Sequence, residues 1–345
     1  MRVLFIGGTG TISSACVELA VRRGMDVALV NRGVSVRHEM PAEVEAVVAD
    51  VTDVEQLRRA LCDRSFDVVV DFLAFTATEV RERLELFRGR VGQYVFISSA
   101  TVYQKPPARL PIVESTPLSN PGWDYAEGKI ACEEALTAAY REERYPVTIV
   151  RPSHTYDERT PPVYGGWTQI ERMRRGKPVI VHGDGTSLWT LTHSRDFAVG
   201  LLGLLGDPRA FGDAFHITSD EALPWNQIYE ILGAAAGVPK PQLIHIASET
   251  IARADAAWGQ ALLGDMAHSL VFDNRKVRRF SPDFMTRTPF PVGAREVIAW
   301  FDAVPDRRRI DHDLDATVDA LLAAAPARRQ PWRNEAPGEP PAAAG

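Results

Sequence analysis

A chain of 345 residues, 45% of them hydrophobic, can bury a full core and reads as one large α/β domain with a smaller lobe attached. Its formal net charge of −6 repels nucleic acid and anionic membranes, so neither is an expected partner. Cys16, Cys62 and Cys132 have unrelated spacings that exclude a disulfide framework and a metal site, and no leader or long apolar span is visible, so a soluble cytoplasmic protein is expected.

An apolar run over 2–6 breaks into Gly7, Gly8 and Gly10, and an amphipathic stretch (Ile12, Cys16, Leu19, Ala20) follows as far as Arg23-Gly24. A second apolar run, 27–30, stops at Asn31-Arg32-Gly33. Strand, tight turn, helix, strand is the context in which a glycine fingerprint signals a dinucleotide. Gly7 and Gly10 let the backbone approach a pyrophosphate, and the free N–H groups of the helix start, at Thr11 and Ile12, hold its charge. An acid at position 31 would repel a 2′-phosphate. Asn31 can still bond a ribose diol, and Arg32 meets either a phosphate or an adenine face.

Further apolar runs recur at 46–49, 68–72, 94–97 and 147–150, with helical periodicity at 54–62, 76–87 and 125–142. Near-continuous apolar strands alternating with helices predict an α/β fold, a Rossmann-type doubly wound parallel sheet covered on both faces. Ligands sit at the carboxyl ends of such strands, where Gly7, Asn31, Asp50, Ala74, Ser99 and Pro152 all fall. Asp50 is placed to accept a hydrogen bond from an adenine amine with Val51 packed beside it, leaving Asp53 to cap the next helix. Asp71 and Phe72 read equally as packing residues.

Tyr125 and Lys129, four apart on the helix 125–142, lie about 40° apart around its axis and one turn along, so both reach one spot. An ammonium beside a phenol favours the phenolate and is expected to lower the tyrosine pKa from about 10. That gives a general base near neutral pH, with Ser99 holding the hydroxyl from which it takes a proton.

Gly7-x-x-Gly10-x-x-Ser13, Phe96-Ile97-Ser98-Ser99-Ala100-Thr101-Val102-Tyr103 and Tyr125-x-x-x-Lys129 together resemble the extended short-chain dehydrogenase/reductase family, in its NAD-dependent epimerase/dehydratase branch. The likeness runs from residue 1 to about residue 320. It implies Ser99, Tyr125 and Lys129 as the catalytic set. It also implies that Tyr125 and Lys129 touch the cofactor, that Ser98 and the backbone at Ala74 and Pro152 line it, and that Lys129 bonds the nicotinamide ribose. NAD+ retained through turnover is the implied cofactor, with NADP+ left open by Asn31. A homodimer through the Tyr125 helix and the preceding one is likewise implied. Ser13 replaces the usual third glycine with another small side chain. Ala100-Thr101 stands where the sugar dehydratases carry Asp-Glu, so an elimination here needs a different acid.

After Arg151-Pro152 the pattern loosens. The segments 153–193 and 219–320 read as a substrate-binding lobe, while 1–152 forms the dinucleotide-binding domain, to which a helix over 194–205 and a strand over 214–218 return (194–218 overall). The stretch 325–345, rich in Ala, Pro and Arg, reads as a disordered tail. Thr101, His154 and Trp189 are the expected substrate contacts. Trp189 stands where relatives using nucleoside-diphosphate sugars place an arginine. An indole cannot neutralise a diphosphate but can stack on a ring. Arg172, Arg174 and Arg175 are the candidates for a compensating cation. The expected activity is transient oxidation of a ring hydroxyl in a nucleoside or glycoside lacking a diphosphate, followed by epimerisation or loss of water. An NADPH-dependent ketone reductase, a nucleotide-sugar epimerase and a non-catalytic RNA-binding relative are the alternatives.

Overall fold

The computed structural model describes residues 1–33 and 38–324. The expected tail, 325–345, lies outside the described residues. In chain order the strands and main helices begin β1 (Arg2–Ile6), α1 (Thr11–Arg22), β2 (Asp26–Asn31), β3 (Glu45–Val48), α2 (Val54–Leu61), β4 (Phe66–Asp71), α3 (Ala77–Phe87), β5 (Val91–Ile97), α4 (Asp124–Glu143) and β6 (Val147–Pro152). There follow β7 (His154–Tyr156), α5 (Trp167–Arg174), β8 (Val179–His182), β9 (Leu188–Trp189), β10 (Leu191–His193), α6 (Ser194–Leu202) and β11 (Asp213–Ile217).

Seven strands form one sheet in the order β11-β6-β5-β4-β1-β2-β3, every neighbouring pair parallel. Alternate residues of each strand enter opposite layers. Val3, Phe5, Leu29, Val70 and Ile97 pack on one face with Ala15 of α1 and Phe197 of α6. Leu4, Ile6, Val30, Val69 and Phe96 pack on the other with Leu57, Leu84 and Leu136 of α2, α3 and α4. Chain order reverses direction between β1 and β4, the switch point where an open parallel sheet parts to admit a ligand. The glycine turn after β1 opens at that crevice.

The lobe has its own aromatic core, including Tyr103, Trp167, Trp189, Trp225 and Phe301. Two segments do not follow the expected division of the chain. Tyr103 and Ile112, assigned to the first domain, cross into the lobe core, and Ile112 bridges Phe272. Val277 and Phe284, assigned to the lobe, pack into the α1–α6 layer, where Phe280 stacks edge-on against Phe215 at 4.8 Å. The helix expected over 194–205 ends at Leu202, where Gly203 follows. Among the described residues no helix is long and apolar enough to cross a membrane, and no cluster of metal-ligating side chains occurs.

The turn after β4 is held by a buried polar knot. Asp71 accepts from the backbone N–H groups of Leu73 and Ala74 at 2.8 and 3.1 Å, from Arg83 Nη1 at 2.6 and 2.5 Å, and from the Tyr94 hydroxyl at 2.5 Å. Arg83 Nη2 reaches back to the carbonyl of Val51. Asp71 is therefore a structural anchor rather than an apolar packing residue. Replacing Arg83 by Met leaves its carboxylate buried and unpaired. Arg83→Met is expected to lower the unfolding free energy by about 3–5 kcal/mol in urea denaturation. A loss under about 1 kcal/mol would show that the knot does not hold the turn.

Candidate active site

A cavity of about 460 Å³ runs along the strand ends from Asn31 and Arg32, past Gly7 and Gly10, to Lys129 and Pro152. Gly7 has a φ of 80°, and a Cβ there would lie 2.6 Å from the side chain of Leu73. Only glycine lets the β1 and β4 turns approach so closely. Helix α1 starts at Thr11 and aims its unpaired first-turn amides toward this crevice. Ser13 uses its hydroxyl locally, its Oγ accepting from the Gly10 N–H at 2.9 Å. At the far end Asn31 Oδ1 accepts from the Gly33 N–H at 2.9 Å, while Arg32 lines the cavity and is exposed. Size, cradle and cation together fit a dinucleotide.

Two expected contacts are placed differently. Asp50 does not border the cavity: its Oδ1 accepts from both the N–H and hydroxyl of Thr52, and Val51 lines the cavity instead. Asp53 caps α2 through Glu55 and Gln56, as its position predicts. The backbone expected to line the cofactor at Ala74 does not border the cavity: Ala74 is fully buried and its carbonyl accepts from Lys129.

Ser99 lies two residues beyond β5 and caps the short turn Ala100–Val102, its Oγ accepting from the Thr101 N–H at 3.2 Å. Tyr125 stands in the first turn of α4, tilted against Trp123 at 5.6 Å and Phe75 at 6.3 Å. Lys129 is 2% exposed and donates to the carbonyls of Ala74 and Ile97 at 2.8 and 2.9 Å. Helix α4 reaches this depth because Gly128 faces the β4 turn, where a Cβ would lie 2.7 Å from the Phe75 carbonyl. The three residues thus converge, but their charges do not couple as expected. Tyr125 is 38% exposed as a whole residue, but desolvation at its hydroxyl end pushes the phenol above its usual pKa, a hydrogen bond with Ser99 pulls it down, and the charge of Asp265 pushes it up again. Burial lowers Lys129 to about 8. Its ammonium points at two carbonyls, 6.0 Å from the centre of the Tyr125 ring. The expected lowering of the tyrosine pKa is therefore corrected: Tyr125 is held as the phenol, the form that gives a proton.

Beneath this set lies a network that sequence reasoning missed. Glu133, two turns along α4 from Tyr125, accepts from the Ser98 hydroxyl at 2.6 Å and from Arg151 at 2.5 to 3.2 Å. Ser98 borders the cofactor cavity, yet its hydroxyl is committed to Glu133. The spacing of Glu133 from Lys129 was the available signal.

A second cavity of about 180 Å³ opens from Ser99, Pro152 and Ser153 and is lined by all three expected substrate residues, Thr101, His154 and Trp189. Trp189 is only 3% exposed. It packs on Trp225 at 5.4 Å, and its Nε1 donates to His154 Nδ1 at 3.1 Å. It is a wall of the lobe core rather than a free stacking platform. His154 keeps its proton on Nε2, and burial lowers it to about 4, so it is neutral near pH 7. No arginine lines this cavity. Arg172 is tied to Asp315 and Asp319, Arg174 to Asp302 and Arg175 to Glu171, so none serves as the compensating cation. Asp265, far along the chain, lines it instead.

Tyr125→Phe keeps the ring and removes the hydroxyl. Turnover should fall about 10²–10⁴-fold in steady-state assays, with cofactor affinity nearly unchanged. An unchanged rate would move the chemistry elsewhere. Gly128→Val forces a side chain against the Phe75 carbonyl and should lower both turnover and the thermal midpoint.

The model of the NAD dependent epimerase/dehydratase family matches residues 3–217. The 2′-dehydrokanamycin reductase of Streptomyces kanamyceticus is 28% identical over 331 residues, covering 94% of this chain and 90% of that protein. The chloroplast stem-loop binding protein of 41 kDa b from Arabidopsis thaliana is 27% identical over 256 residues, covering 71% and 65%. Among solved structures, the UDP-glucose 4-epimerase of Thermus thermophilus in complex with NAD superposes with a TM-score of 0.71 at 22% identity, covering 88% of this chain and 100% of that one, a likeness of fold. The chain therefore belongs to the NAD dependent epimerase/dehydratase family and is an enzyme of that NAD-linked type.

Proposed function

We propose that this enzyme exchanges hydride and proton at one ring carbon of a glycoside or nucleoside that carries no diphosphate. The observation behind this reading is the second cavity. Its 180 Å³ falls below the roughly 300–1,000 Å³ of ordinary ligand sites and is enough for one sugar-sized ring. Among the described residues no arginine lines it, and Arg172, Arg174 and Arg175 are committed to carboxylates. Two phosphates placed there would lose hydration without gaining a counter-charge. The relative from Streptomyces kanamyceticus, alike along nearly its whole length, is named for a substrate that is not a nucleotide sugar.

NAD, when bound, accepts or returns the hydride. The Gly7–Gly10 turn and the amides of Thr11 and Ile12 would hold its pyrophosphate, Asn31, Arg32 and Val51 its adenosine end, and Lys129 and Pro152 its nicotinamide end. Tyr125 Oη moves the proton of the reacting oxygen, and Ser99 Oγ holds that oxygen by a hydrogen bond. Lys129 fixes the strand ends on which both depend. The aromatic walls at Trp123 and Trp189 exclude water from the ring.

Two fates follow for the ketone. Return of the hydride, either to the opposite face of the turned ring (epimerisation) or after a β-hydroxyl has left as water, is the reading closest to the family. One-way ketone reduction is the second, and specific observations favour it. Tyr125 is already held as the proton-giving phenol, and a cavity of this size leaves a ring little room to turn over. An RNA-binding role fits poorly with an intact Ser99, Tyr125 and Lys129 set and a net charge of −6.

Unphosphorylated glycosides incubated with enzyme and NAD+ in D₂O should gain deuterium beside the oxidised carbon, whereas UDP-, GDP- and dTDP-sugars should not. Deuterium entering only the nucleotide sugars would sink the proposal. Consumption of NADPH by a keto-glycoside, with no deuterium gain in the parent, would select the reductase.

A further inference from the structure

The second cavity contains a polar element that the proton-transfer roles leave unused. Asp265 lies on the π-helical turn Leu262–Met266 of the lobe, and its Oδ1 is 2.9 Å from Lys105 Nζ. Lys105 is saturated, since its other two protons face the carbonyls of Ala100 and Tyr103, each at 3.4 Å. Asp265 is not. A carboxylate accepts at about four lone-pair sites, and Lys105 is its one ion-pair partner among the described residues, with Oδ1 buried and without a well-aligned hydrogen bond. Thr101 lines the same cavity, and its Oγ1 is buried with no hydrogen-bond partner.

The spacing of these two groups is built in. Asn120 Nδ2 donates to the carbonyls of Thr101 and Gly264, both at 2.8 Å, which ties the loop after β5 to the π-helical turn. Neither side-chain oxygen is used in doing so. Much of the remaining wall is apolar, with Trp123, Trp189, Leu270 and Phe272. Buried acceptors left unmet are costly, and they discriminate strongly against a ligand that cannot meet them.

We propose that Asp265 and Thr101 form the specificity-determining subsite of this cavity, receiving a hydrogen-bond donor (a hydroxyl or an ammonium) carried by the same ring that faces Ser99. This rests on the reading of the cavity as a sugar site. Asp265 accepts from the donor, and the Thr101 hydroxyl meets the neighbouring oxygen or nitrogen. A ring lacking the donor leaves the carboxylate with Lys105 alone and is rejected.

The test uses the full chain loaded with NAD+ and a panel of methyl glucoside, its single-deoxy analogues and its amino analogues, with affinities from ligand-observed NMR. Wild type should lose about 10–100-fold in affinity at one deoxy position, and the amino analogue at that position tells ammonium from hydroxyl as the preferred donor. Asp265→Asn should weaken the parent glycoside by a similar factor and flatten that position's discrimination, with NAD+ affinity unchanged. Should Asp265→Asn fold poorly, the double variant K105M/D265L replaces the pair with apolar side chains that a core tolerates, and the same flattening is expected. Glycoside binding by wild type with no deoxy position distinguished, or discrimination surviving in either variant, overturns the subsite alone. Failure of wild type to bind any member of the panel overturns the sugar-site reading and the subsite with it.

Discussion

One buried ammonium holds this active site together. Lys129, at 2% exposure, donates to Ala74 at the end of the β4 turn and to Ile97 at the end of β5, and so clamps α4 across two strand ends. Ser99 follows Ile97 by two residues, and Tyr125 precedes Lys129 by one helical turn. Fixing Lys129 therefore fixes both. The clamp carries a penalty, since burial disfavours the charged amine and lowers it to about 8. The two carbonyls, and the rings of Phe75 and Phe96 at 4.4 and 4.7 Å, offset part of that penalty.

Two further buried knots support the clamp. Asp71 with Arg83 and Tyr94 shapes the turn that ends in Ala74, and Glu133 with Arg151 anchors Ser98 beside Ser99. Each places a charge out of water, where a missing partner is costly and geometry is correspondingly well defined. The glycines play the complementary part. Gly7 and Gly128 remove side chains where backbone must approach backbone, at the cofactor turn and beneath the catalytic helix.

Much of this was legible in the sequence because it is local. The glycine turn, the strand ends carrying Asn31 and Ser99, and the one-turn spacing of Tyr125 and Lys129 all depend on short stretches with strong periodicity. Two kinds of feature were not legible. Orientation was one: residue spacing brings Lys129 near Tyr125, but only the surrounding carbonyls determine that the ammonium turns away from the phenol. Trp189 likewise sits at the expected place, yet its indole N–H is committed to His154 and its face to Trp225. Long-range pairing was the other. Asp265 meets Lys105 across a great length of chain, and a single acid among helical lobe residues carries no local signal of its destination.

Tyr125 is presented as a phenol because desolvation disfavours its phenolate and the Lys129 ammonium is committed to two carbonyls. The direct measurement is a pH titration of the enzyme labelled with carbon-13 at the tyrosine Cζ, with Tyr125→Phe used to assign the resonance. The account predicts that in the cofactor-free enzyme Tyr125 titrates above the usual value of about 10. A Tyr125 resonance that titrates near neutral pH would contradict it, because the ammonium would then be acting on the phenol after all.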